Sequence, residues 1–90
     1  MSIRHYFATL VSSSALAATY RFTPDSITKK HWGIVDFDLA NFEHSIVELA
    51  PDPEEWGWPQ DTVCICLGRK LKQHVGFFGV PAPATLEWVS

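Results

Sequence analysis

The stretch WGIVDFDLANFEHSIVEL, residues 32–49, decides the fold. Val35, Phe37 and Leu39 alternate with Asp36 and Asp38, the period-2 pattern of a strand with one face in a core and one in water. Ala40-Asn41 supplies a turn. From Phe42 to Leu49 a second alternation sets Glu43, Ser45, Val47 and Leu49 against Phe42, His44, Ile46 and Glu48, so the two halves read as an antiparallel hairpin.

Working outward toward the N-terminus, Ile3–Val11 is rich in β-branched and aromatic residues. In Ala18–Thr23, Thr19 and Arg21 alternate with Tyr20 and Phe22. Ser12–Ser14 separates the two segments as a turn, which predicts a first hairpin ended by Pro24-Asp25-Ser26. Residues 26–31 are short and polar and read as loop. Arg4, the apolar run Tyr6–Val11 and Ala15-Leu16-Ala17 imitate a signal peptide over residues 1–17, but three serines interrupt the apolar stretch. Strand and turn is the preferred reading, with export as the lesser alternative.

Toward the C-terminus, Ala50–Trp58 is punctuation, rich in proline and acid. Pro59 suits the first turn of a helix and Asp61 its positive end. Lys70, Lys72 and His74 suit its negative end, and Gly76 a cap. At about 100° per residue, Val63, Cys64, Leu67, Leu71 and Val75 share one arc, and Cys66, Arg69, Lys72 and Gln73 lie outside it. A competing reading makes Thr62–Leu67 a strand ended by Gly68. Residues 80–90 read as an extended tail, with Thr85–Val89 available as an edge strand. The expectation is a single α+β domain over residues 1–79. It has an antiparallel sheet of four strands, or five with the tail, and one C-terminal helix packed on one face.

Ninety residues bound the chain to one core. An apolar fraction of 47%, with four Trp and six Phe, is enough to offset ordering entropy without a cofactor. A net charge of −3 disfavours general nucleic-acid binding. No run approaches the ~20 apolar residues of a membrane-spanning helix. A soluble cytoplasmic protein is the expectation, and Cys64 and Cys66, one residue apart, do not make a structural disulfide.

Three candidate sites follow. In Trp56-Gly57-Trp58, beside Glu54 and Glu55, two indoles sit in an acidic loop, the composition of a partner-binding anchor and rim; the bland alternative folds them back as a lid on the core. His44, Asp36 and Asp38 are candidates for a ligand pocket between sheet and helix, against the simpler view that the two aspartates mark a solvated strand face. Arg69, Lys70 and Lys72 could hold a phosphate or an acidic partner, although a solvated helix face produces the same pattern. Cys64 and Cys66 diverge on a helix and lack two further ligands, so no metal site is expected. No nucleophile elbow or phosphate loop anchors an enzyme mechanism. The leading expectation is a non-catalytic interaction module, binding a protein partner or itself through Trp56, Trp58, Glu54 and Glu55. A small-ligand binder or enzyme comes second, and anion or nucleic-acid binding third.

Overall fold

A computed structural model describes residues 5–23, 31–51 and 59–89. The elements are β1 (His5–Ser13), β2 (Ala17–Thr23), β3 (Gly33–Asp38), β4 (His44–Glu48), α1 (Gln60–Phe78) and β5 (Thr85–Val89). The strands form one sheet in the order β4-β3-β2-β1-β5, every neighbour antiparallel. The fold is α+β as expected, and the fifth strand is present at the edge beside β1.

Alternation divides the sheet cleanly. Tyr6, Ala8, Tyr20, Phe22, Val35, Phe37 and Leu86 are buried on one face, and Val63, Cys64, Leu67 and Leu71 of α1 are buried with them. Those four helix positions belong to the apolar arc of the sequence, so an amphipathic helix lies on the pleat and the strand reading of residues 62–67 is set aside. Gly68 is not a strand terminus. It is buried within the helix, where a Cβ would stand 3.0 Å from the Phe37 ring, so its lack of a side chain lets α1 approach β3 closely.

The ends of α1 differ from expectation. Pro59 is the residue before the helix rather than part of its first turn, and no side chain caps the exposed N–H groups. The helix also runs past Gly76 to Phe78. Gly79 ends it with φ 76°, its N–H donating to the Val75 carbonyl at 2.8 Å. An interior glycine costs only about 1 kcal/mol relative to alanine, too little to stop the helix one turn early. As a result no basic residue occupies the last turn, and Lys70 and Lys72 lie too far inside to complement the dipole there.

Strand boundaries shift for readable reasons. β1 extends through Ser13 because the register slips between Leu10 and Ser12, making Val11 the extra residue of a bulge; the turn begins at Ser14, whose Oγ accepts from the N–H groups of Leu16 and Ala17 at 3.2 Å. β4 starts at His44 because Phe42 adopts φ 60° and the Glu43 N–H donates to Asn41 Oδ1 at 2.9 Å. A second slip, between Ile34 and Val35, leaves Val47 bulged on the edge strand β4. A bulge there twists the edge away from further pairing. The segment before β5 is held at two points: Leu10 N–H donates to the Ala84 carbonyl at 2.8 Å, and the buried Tyr20 hydroxyl to the Pro83 carbonyl at 2.6 Å.

Gly33 marks the tightest approach in the sheet. A Cβ there would lie 2.6 Å from the Phe22 ring and 2.8 Å from the Glu48 carbonyl oxygen. The ring is confined by the core and the oxygen by the β3–β4 register. Gly33→Ala should therefore destabilise the protein by about 1–3 kcal/mol, the range for overpacking a filled site, read as a lower urea midpoint at unchanged slope. Leu67→Ala, which opens a cavity at the centre of the same layer, should cost about 2–5 kcal/mol in the same assay.

Candidate functional site

The two groups of candidate residues that lie within the described residues occupy different parts of the molecule. Glu54, Glu55, Trp56 and Trp58 lie outside the described residues. The residues on either side of their segment are fixed by a pairing the sequence does not advertise. The Gln60 side chain, buried at the start of α1, accepts from Ala50 N–H at 2.9 Å and donates to the Ala50 carbonyl at 3.0 Å. One amide thereby imitates a strand-like backbone pair and ties the chain after β4 to the first residue of the helix. Glutamine is a common exposed helix former, so only its burial reveals this role.

His44, Asp36 and Asp38 do come together, but not between sheet and helix. That layer is filled by Val35, Phe37, Tyr20, Val63 and Leu67, all at 0% exposure. The three instead line a surface hollow of about 450 Å³ at the ends of β3 and β4, with Leu16, Ala17 and Glu43. Their polar atoms are engaged locally. Asp36 Oδ1 accepts from the Thr19 hydroxyl across the outer face at 2.5 Å, and Asp38 Oδ1 accepts from Ala40 N–H at 2.7 Å to shape the turn. His44 Nε2 stands 2.7 Å from Asp61 Oδ1, linking β4 to the first turn of α1.

The basic residues of α1 split between two surfaces. Lys70 leans toward β5, its Nζ 5.7 Å from the centre of the Trp88 ring, the geometry of a cation over an aromatic face. Arg69 and Lys72 remain on the outward side, where with Gln73, Gly76 and Phe77 they line an open groove of about 670 Å³. Among the described residues neither cation has a carboxylate partner.

This groove runs into an apolar cluster at the end of the helix. Phe77 is 84% exposed, Phe78 71% and Val80 55%. The two phenyl rings meet edge to face at 5.0 Å, and His74 packs on Phe78 at 4.9 Å. The sequence reading passed over this pair because it ended the helix at Gly76. Continued by one turn, the helical spacing places Phe77 one and two turns beyond Gln73 and Arg69, on their side of the helix.

On the face of the sheet away from α1, described side chains pair locally. Arg21 stacks over Trp32 at 4.7 Å, Phe7 meets Trp32 edge to face at 6.3 Å, and His5 Nε2 lies 3.1 Å from Glu87 Oε2. Cys64 and Cys66 form no disulfide, and no group of three metal-ligating side chains converges among the described residues. Burial first, and the nearby Asp61 carboxylate second, push the Cys64 thiol up to about 12; burial pushes the Tyr20 hydroxyl up to about 12 as well. Among the described residues no helix is long and apolar enough to cross a membrane. No family model, curated protein or solved structure matches the chain.

The raised Cys64 and Tyr20 values make the stability of the fold fall at alkaline pH. Each group holds its proton in the native state at a pH where the unfolded chain releases it, so the native state binds more protons and stability falls as pH rises. The contribution is complete below about pH 8 and is lost progressively from about pH 9 toward 12, starting from ordinary values of about 8.5 for cysteine and 10 for tyrosine. Unfolding free energy should therefore be level near neutral pH and decline above about pH 9. In Cys64→Ala and Tyr20→Phe that alkaline decline should be shallower, and an unchanged slope in both would contradict the assignment.

Proposed function

We propose that this protein is a non-catalytic interaction module whose contact surface is the outward end of α1, together with the acidic tryptophan segment at residues 54–58. The observation that carries the reading is the exposed Phe77-Phe78 pair. Two neighbouring phenyl rings are left in water beside an arginine and a lysine, although a core capable of burying tyrosines and phenylalanines lies on the other side of the same helix. Phenylalanine and arginine are enriched at protein interfaces, where aromatic anchors in a desolvated centre contribute most of the binding energy. Trp56, Trp58, Glu54 and Glu55 have the complementary composition. Cys64 and Cys66, neither of them in a disulfide, favour a reducing compartment.

A second reading, small-ligand binding, draws on the hollow that gathers Asp36, Asp38 and His44. It is less well supported, because all three side chains already serve the turn, the outer face or the helix start.

The test separates surface from core. Phe77→Ser combined with Phe78→Ser removes the rings without opening a cavity, so the unfolding free energy should change by about 0.5 kcal/mol or less. Capture of the binding partner, whether another protein or a second copy of the chain, should fall by at least about tenfold, the loss of a single hot-spot contact. Retained capture would contradict the proposal, and a large loss of stability would assign the rings to the folded core instead.

A further inference from the structure

We infer that the groove formed by Arg69, Lys72, Gln73 and Phe77 is the receptor for the acidic tryptophan segment, residues 52–58, of a second copy of this chain. The inference deepens the proposed function and rests on it. Its basis is the match between two surfaces of one sequence.

The groove offers an arginine and a lysine with no carboxylate partner among the described residues, at the edge of a ring that is 84% exposed. Asp52, Glu54 and Glu55 provide carboxylates within a few residues of Trp56 and Trp58. Seven of the chain's residues are Lys or Arg and ten are Asp or Glu, so a cationic groove stands out against an acidic whole and selects an acidic occupant. An arginine accepts both a carboxylate, through paired N–H donors, and an indole face, so Arg69 is suited to either half of the segment. Phe77 provides an aromatic surface on which an indole packs edge to face.

Connectivity favours a second copy over the same chain. Ala50 and Gln60, ten residues apart, are bound to each other at the start of the helix. At about 3.4 Å per residue, a chain that must leave Ala50 and return to Gln60 extends no more than about 17 Å from that pair. Phe77 stands about 25 Å along the helix at about 1.5 Å per residue. Within one chain, even a segment stretched to its limit along the helix would stop short of Phe77, whereas a second copy has no such constraint. With two-fold symmetry each chain gives its segment and receives its partner's, so the contact occurs twice and the assembly closes as a dimer.

Paired charge reversal tests this directly. Glu54→Lys with Glu55→Lys makes the segment basic, and Arg69→Glu with Lys72→Glu makes the groove acidic. Each variant alone should associate at least about tenfold more weakly than the wild type by light scattering or sedimentation, since like charges then oppose at both contacts. Mixing the two variants should restore a one-to-one heterodimer, because a basic segment meets an acidic groove at one contact and the native pairing persists at the other. Circular dichroism melts establish that each variant is folded; the neutral pairs E54Q/E55Q and R69Q/K72Q replace any reversal that is not, with weakened association again expected from each. A monomeric wild type at all concentrations would overturn the inference, as would unaffected dimers in either variant or a mixture of reversed variants that does not combine. If the wild type is monomeric while F77S/F78S still loses a captured protein, the self-docking inference fails and the broader interaction reading stands.

Discussion

The seam between α1 and one face of the sheet is the contact on which the rest of the structure depends. Val63, Cys64, Leu67 and Leu71 meet Tyr20, Phe22, Val35 and Phe37, and every one of these side chains is fully buried. A domain of this size buries a modest fraction of its surface, so one such layer must carry most of its stability. Two glycines tighten it: Gly68 admits the Phe37 ring against the helix, and Gly33 leaves space for Phe22 beneath the β3–β4 register. The edge elements are then fastened to the layer by a few polar contacts. Gln60 holds Ala50, His44 meets Asp61, and Tyr20 reaches through the core to the Pro83 carbonyl ahead of β5.

Because the inner stripe of α1 secures the fold, the outer stripe is free for other work. The helix is longer than its buried footprint. Its last buried residue is Leu71, yet it continues to Phe78, and those final turns carry the most exposed aromatic residues of the described chain. Ending such a helix one turn earlier would remove both phenyl rings and leave the seam intact. The proposed contact with another molecule would give that extension a role that folding does not require. The net charge of the chain points the same way, since Arg69 and Lys72 form a cationic groove on an otherwise acidic protein.

Much of this was legible from residue pattern. The Val35/Phe37 and Tyr20/Phe22 alternations identified the buried face because strand side chains alternate strictly, and the Val63–Leu71 spacing identified the inner stripe of the helix. What escaped was set by local competition or by contacts distant in sequence. Gly76 carries the usual helix-stop signal, but Gly79 takes a positive φ three residues later, and with that shift Phe77 and Phe78 join the helix surface. Val11 and Val47 are bulged, which reverses the alternation beyond them: Ser13 rather than Ser12 lies opposite the buried Ala18, and Glu48 lies opposite Ile34 rather than on the face of Ile46. The sequence makes His44, Asp36 and Asp38 candidates for a pocket between sheet and helix, but packing fills that layer and leaves them around a surface hollow. Gln60 gave no signal, since its function exists only through Ala50.

The claim that most needs testing is that α1 and the sheet form one cooperative unit, with the exposed end of the helix outside it. Native-state hydrogen exchange measures this residue by residue. The amides of Leu67 and Leu71 should open with the same free energy as those of Tyr20 and Phe37, equal to that of global unfolding, while those of Phe77 and Phe78 exchange through lower-energy fraying. Opening of Leu67 and Leu71 at a markedly lower free energy than the strands would contradict the account, because the helix would then be an appendage rather than half of the core.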